Sequence, residues 1–175
     1  MYKTSAYNVV LREVLESDIE QLRLWRNCPE IRNNMLSSSI ITKEEQKQWF
    51  DSLALKNEFH FVAEYQNKPL GYANYKPDNK GKGGQTSIYV GEEKYRNTII
   101  PFFIVLALLD FIFIEQHENQ VAYLDACIFQ HNKKAIRFNE KLGYQFNKQE
   151  DDLIWMRLSK ENYLLIREEF QKLNK

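Results

Sequence analysis

Thirteen consecutive residues constrain this chain more than any other stretch: Asn132-Lys-Lys-Ala135-Ile136-Arg137-Phe138-Asn139-Glu140-Lys141-Leu142-Gly143-Tyr144. A helix start, an apolar stripe and a helix stop are packed into them. Asn132 is a good N-cap, because its side-chain oxygen can accept an orphan backbone N–H of the first turn. Ala135, Phe138 and Leu142 recur at helical spacing, and Gly143 can take the left-handed conformation that closes a helix. Tyr144 follows at once and begins a strand.

At 175 residues, one domain spanning 1–175 is expected, with enough chain to bury a real core. Apolar residues at 43% and aromatics at 14% fit a packed globular protein. The 24 basic and 24 acidic side chains cancel, so no long-range field recruits nucleic acid or an anionic membrane. The expected partner is a small molecule or another protein. Cys28 and Cys127 have no metal-ligand or redox spacing and read as reduced thiols, which fits a cytoplasm. His60, His117 and His131 stand singly, without zinc-type pairing, so no metal is expected. The start Met1-Tyr-Lys-Thr-Ser lacks the basic-then-apolar order of a signal peptide. Ile99 to Ile114 is almost wholly apolar but falls short of the roughly 20 residues that span a bilayer, so it reads as a covered helix.

The remaining pattern alternates between strand and helix periods. Asn8 to Val14 reads as a strand, and Ser17-Asp-Ile-Glu20 as a capping box that opens a helix to about Asn27. Thr42-Lys-Glu-Glu45 is a second capping box, leading into a helix through Trp49, Phe50 and Leu53. Phe59 to Tyr65 and Leu70 to Tyr75 form a hairpin, and Gln85 to Val90 is a further strand. After the apolar helix come a buried strand from Val121 to Ile128 and the capped helix. Strands at Tyr144 to Asn147 and Leu153 to Leu158 follow, then a last helix that Ser159 could cap. The order is β-α-α-β-β-β-α-β-α-β-β with a terminal helix.

Both this order and the Asn132–Tyr144 unit resemble the GCN5-related N-acetyltransferases (GNAT). Their closing motif runs roughly Asn-x-x-Ala-x-x-aromatic/Leu-Tyr-Glu-Lys-Leu-Gly-Phe. The resemblance covers about residues 8 to 158 and implies an α/β fold with a mixed, mostly antiparallel sheet of about seven strands flanked by helices. Leu24-Trp25-Arg26-Asn27 with Pro29-Glu30-Ile31-Arg32, and Ile41-Thr42-Lys-Glu-Glu45 with Trp49-Phe50, look like the branch that acetylates ribosomal-protein N-termini and nucleotide-linked amino sugars. In that branch the segment after the first helix helps form the acceptor pocket, which makes Trp25, Arg26 and Asn27 substrate candidates.

The resemblance also implies acetyl-CoA as co-substrate. In the family an Arg/Gln-x-x-Gly-x-Gly/Ala loop turns backbone N–H groups and a helix N-terminus toward the pyrophosphate. The matching residues here are Arg96, Asn97, Thr98, Ile99, Ile100 and Pro101, so both glycine positions are lost. Isoleucine adds bulk there, and proline removes a donor. The acyl arm is expected along the strand carrying Tyr89 and Val90. Tyr89 either faces the acceptor or fills the sheet surface, and Asn132 either touches the arm or only caps its helix. The family's acid tyrosine is Asn139 here, whose amide can donate a hydrogen bond but cannot protonate a thiolate. Asp125 is the nominal base, with Glu64 and His131 behind it, and Tyr95 and Cys127 are alternative acids.

Two functions follow. One is a cytoplasmic N-acetyltransferase that moves an acetyl group from acetyl-CoA to the primary amine of a small molecule, a nucleotide-linked amino sugar or a protein N-terminus, with a homodimer as the assembly to test. The other is a GNAT fold kept as an inert ligand-binding or protein-interaction module, motivated by the changes at Ile99, Pro101 and Asn139.

Overall fold

The computed structural model describes residues 3–115 and 121–173; His117 lies outside them. One mixed sheet of eight strands is flanked by helices, in the order β1-β2-β3-β4-β5-β6-β8-β7. The strands are β1 (Lys3–Ala6), β2 (Val9–Glu13), β3 (Phe59–Tyr65), β4 (Lys68–Pro77), β5 (Gly84–Val90), β6 (Tyr123–Phe129), β7 (Gln145–Glu150) and β8 (Leu153–Ser159). The helices are α1 (Ile19–Asn27), α2 (Pro29–Arg32), α3 (Lys43–Leu53), α4 (Ile100–Asp110), α5 (Lys133–Lys141) and α6 (Lys160–Leu173). The expected α/β architecture is present, with one strand more than the seven expected. The extra strand, β1, pairs antiparallel with β2 through Tyr7-Asn8, whose φ angles of 54° and 60° are those of a tight two-residue hairpin. Gln66-Asn67, at 52° and 59°, make the same turn between β3 and β4.

Local chemistry explains most boundaries. Thr42 accepts from the Glu45 N–H at 3.1 Å while the Glu45 carboxylate accepts from the Thr42 N–H at 2.8 Å, the predicted box. Ser159 likewise accepts from the Asn162 N–H at 3.1 Å. The first helix differs from its sequence reading, since Ser17 is not its cap. Asp18 takes the Leu15 N–H at 2.8 Å and is held by Arg12 at 2.6 and 2.9 Å. Arg12 also bonds Glu64 at 2.8 Å. Burial pushes the Asp18 carboxyl up, but Arg12 and the Leu15 N–H together outweigh it and hold the pKa below its ordinary value. The apolar segment is α4 followed by a π-helical turn, Phe111–Glu115, and no helix of the described residues is long and apolar enough to cross a membrane.

The chain divides into two compact units, Met1–Tyr75 with Ser87–Leu108 and Lys76–Thr86 with Leu109–Lys175. The core of the first gathers Val14, Leu22, Trp25, Ile31, Val62 and Tyr72, with Trp49, Phe50 and Tyr89 packed against them. In the second, Leu124, Leu142, Met156, Leu158 and Tyr163 are buried. There Asp110, itself buried, accepts from the Tyr163 hydroxyl at 2.6 Å and from Arg167 Nε at 2.5 Å, which ties α6 down. Gly143, at φ +85°, ends α5 as its sequence requires.

Candidate functional site

In the first unit the residues expected to receive the acceptor are drawn into structural roles of different depth. Trp25 is only 7% exposed, and a Cβ on Gly91 would fall 2.0 Å from its ring, so Trp25 is core rather than pocket wall. Asn27 makes a reciprocal pair with Ile41, its amide N and O each 2.8 Å from the Ile41 carbonyl and N–H. That pair pins the loop following α2. Arg26 is different. Its Nη2 donates to the Ser37 carbonyl at 2.6 Å, while Nη1 is sealed from solvent without a hydrogen-bond partner among the described residues. Burial pulls the Arg26 pKa down; Tyr89 opposes this and Arg32 adds to it, so a second cation rather than a carboxylate stands nearby.

Tyr89 stacks on Tyr72 with ring centroids 5.2 Å apart, and burial raises its phenol pKa. It fills the sheet surface. Val90 and Gly91 end β5, and both their carbonyls accept from Arg96, at 3.0 and 2.7 Å. The Arg96 guanidinium is therefore a clamp on that strand end. The next turn closes on itself: the Thr98 N–H bonds the Tyr95 carbonyl at 3.2 Å and the Thr98 hydroxyl lies 3.2 Å from the Ile100 N–H. Phe102 and Phe103 both donate to the Ile99 carbonyl, at 3.0 and 3.3 Å, and Pro101 has no N–H. Asn97 is exposed, and the Ile99 side chain stands 47% exposed where the family has glycine. As folded, this turn does not fit the pyrophosphate cradle that the resemblance implies, because the Thr98 and Ile100 N–H groups already have partners and Pro101 has none to offer.

In the second unit, Asn132 accepts from the Ala135 N–H at 3.1 Å, the expected cap. The Asn139 amide donates to the Ala135 carbonyl at 2.9 Å and so turns back onto its own helix. Both Asp125 oxygens are taken by Arg157, at 2.8 Å each. With Glu64 held by Arg12, two of the three nominal bases are committed to ion pairs. His131, the third, is exposed and stacks on Phe129 at 5.2 Å. Burial pushes the Cys127 thiol up, which suits a bystander better than a proton donor. An open groove of about 270 Å³ in this unit is lined by Glu140, Tyr144, Gln145, Asn162 and Leu165, none of them a candidate from the sequence.

One constellation escaped the sequence reading. On one face of β3, β4 and β5, His60 Nδ1 lies 2.5 Å from the Tyr72 hydroxyl and Nε2 lies 2.9 Å from Glu58. Asn74 Oδ1 accepts from the Ser87 hydroxyl at 2.6 Å and from the Ser87 N–H at 3.1 Å. Trp49 covers His60 edge-on at 5.6 Å. Alternation on three adjacent strands could have pointed to it, but only once their register was known: His60 faces Asn74 and Val62 faces Tyr72.

The acetyltransferase (GNAT) domain family model matches residues 11–157. No curated protein sequence matches the chain. Among solved structures, a nucleotide-linked sugar GNAT without ligand is similar at 16% identity and a TM-score of 0.83, with 99% of each chain covered. An aminoglycoside acetyltransferase in complex with coenzyme A is similar at 18% identity and 0.78, covering 91% of this chain and 99% of its own. Spermidine N-acetyltransferase from Vibrio cholerae, in complex with CoA and spermine, gives 16% and 0.78 over 91% and 99%. At these identities the likeness bears on the fold.

Proposed function

This chain belongs to the GNAT acetyltransferase family, and on that premise we propose that it is an N-acetyltransferase working as one domain on a small primary amine that also carries an anionic group, with a nucleotide-linked amino sugar as the leading acceptor. The observation that carries the anionic part is Arg26. A guanidinium with one nitrogen sealed and unpartnered, beside a second arginine, is a costly arrangement that a phosphate oxygen would relieve. Similarity to a nucleotide-linked sugar GNAT supports the same choice. Acetyl-CoA is the second substrate, and coenzyme A or acetyl-CoA accompanies several of the similar structures. The reaction is direct attack of the neutral amine on the thioester, with the tetrahedral oxyanion met by backbone N–H. A cytoplasmic setting accords with Cys28 and Cys127 as free thiols.

The closed turn before α4 and the inward Asn139 amide favour a second reading, an inert module of the same fold. Calorimetry with acetyl-CoA, and CoA as comparison, separates the two. The transferase reading expects saturable binding below millimolar concentration, weaker than a glycine cradle would give. No heat up to millimolar acetyl-CoA would sink it and leave the module.

A further inference from the structure

The five polar residues on the inner face of β3, β4 and β5 form a chain whose direction is forced. A backbone N–H can only donate, so the atom of Asn74 that meets the Ser87 N–H must be its oxygen. That oxygen also accepts the Ser87 hydroxyl proton. The Asn74 NH₂ is left to donate, and its side-chain hydrogen bond to Tyr72 favours the ionised phenol, as a donor does. With its oxygen receiving from Asn74, Tyr72 turns its own proton to His60 Nδ1, 2.5 Å away. His60 then carries its proton on Nε2 and gives it to Glu58 at 2.9 Å. Every link runs the same way, from Ser87 inward to a carboxylate.

The inner part is well held. His60 and Asn74 are 7% and 6% exposed, Tyr72 is 9% exposed, and Trp49 and Tyr89 pack on the rings. Its two ends differ: Glu58 is half-buried and Ser87 is exposed. With its proton committed inward, the Ser87 hydroxyl has only lone pairs to offer outward. An exposed hydroxyl locked as an acceptor discriminates for N–H donors and against groups that can only accept. Ser87 also lies two residues from Tyr89 on the same strand face. The two residues are therefore about 7 Å apart along the strand.

We propose that Ser87 receives the N–H of the acceptor amine, and that Asn74, Tyr72, His60 and Glu58 are positioning residues that hold its hydroxyl in that orientation. This rests on the transferase reading and deepens it, since it names how the amine end of the acceptor is chosen. Protonation of His60 reverses the link to Tyr72, because Nδ1 then donates to the phenol oxygen, while Nε2 still donates to Glu58. The chain therefore couples amine selection to one imidazole, whose charged neighbour is Glu58.

The test needs two readouts on the full chain. Imidazole nitrogen NMR should show neutral His60 as the Nε2–H tautomer, and Tyr72→Phe should change the Nδ1 resonance. An Nδ1–H tautomer in the native protein overturns the proposal whatever else binds. The second readout is the ratio of dissociation constants for glucosamine 1-phosphate and 2-deoxy-2-fluoroglucose 1-phosphate, whose C2 substituent cannot donate, followed at the Ser87 amide. The native protein should prefer the amine about tenfold, as one hydrogen bond to a charged group allows. Ser87→Ala, at an exposed site that leaves the fold intact, should abolish the preference without weakening the fluorinated sugar phosphate. Tyr72→Phe, which keeps the ring, should abolish most of it. Preference retained in Ser87→Ala, or no amine-dependent response at Ser87, overturns the proposal. An intact amine preference with no acetyl-CoA heat would instead remove only the transferase reading.

Discussion

The entries to α4 and α5 are both helix starts that the family resemblance gives a job, and they are built in opposite ways. Before α5, every bond is local: Asn132 takes the Ala135 N–H and the His131 carbonyl takes the Lys133 N–H. Before α4, the Arg96 clamp on Val90 and Gly91, the Thr98 hydroxyl and Pro101 all take part, and Gly91 must lie flat beneath Trp25. One entry is local and could be moved to another protein unchanged. The other is a tertiary construction in which the Thr98 and Ile100 N–H groups already have partners, and this is why its likeness to a phosphate cradle stops at sequence position. A helix N-terminus is an anion site only while its N–H groups are free.

The comparison breaks most visibly at Gly91. Gly91→Ala should cost about 3 kcal/mol by urea unfolding, because the added carbon has Trp25 where it must go. A loss below about 1 kcal/mol would show that the Trp25 contact can relax, and that the α4 entry is less dependent on packing than argued. Next in size is the change that should turn the one entry into the other. Replacing Ile99 and Pro101 together by glycine removes the exposed side chain and restores an N–H. Acetyl-CoA binding should tighten about tenfold by calorimetry, even though each glycine weakens the helix start. Unchanged affinity would mean that the committed donors are not what limits the loop. Smallest is the local entry itself. Asn132→Ala should cost about 1 kcal/mol in the same unfolding assay and leave acetyl-CoA binding unmoved. A binding loss there would return Asn132 to the acyl arm.

What could be read from sequence divides along the same line. Asn132, Thr42, Ser159 and Gly143 were legible because each acts within four residues, so a cap or a left-handed stop is visible in the string. Ser17 misled, since an ion pair from Arg12 on another element selects Asp18 as the group that meets the Leu15 N–H. Trp25 carried a pocket expectation that only its contact with Gly91, far along the chain, could correct. Asp125 and Glu64 looked like bases until their arginine partners, Arg157 and Arg12, were in place. The Ser87–Asn74–Tyr72–His60–Glu58 chain was illegible because it exists only when three strands are in register. Seven of the eight strands followed from periodicity and turn residues, and their gathering into one mixed sheet from the family resemblance.

The interleaving of the two compact units has a consequence for how the protein is made. On the ribosome, residues 76–86 emerge before the first unit has its closing segment, Ser87–Leu108, yet they belong with Leu109 onward. At roughly 5–20 residues per second they wait some seconds for their partners while the wholly apolar turns of α4 are already outside the tunnel. Nascent chains stalled just after α4 has cleared the tunnel should therefore be the ones that chaperones hold longest, and neither unit can be expressed as a single contiguous fragment.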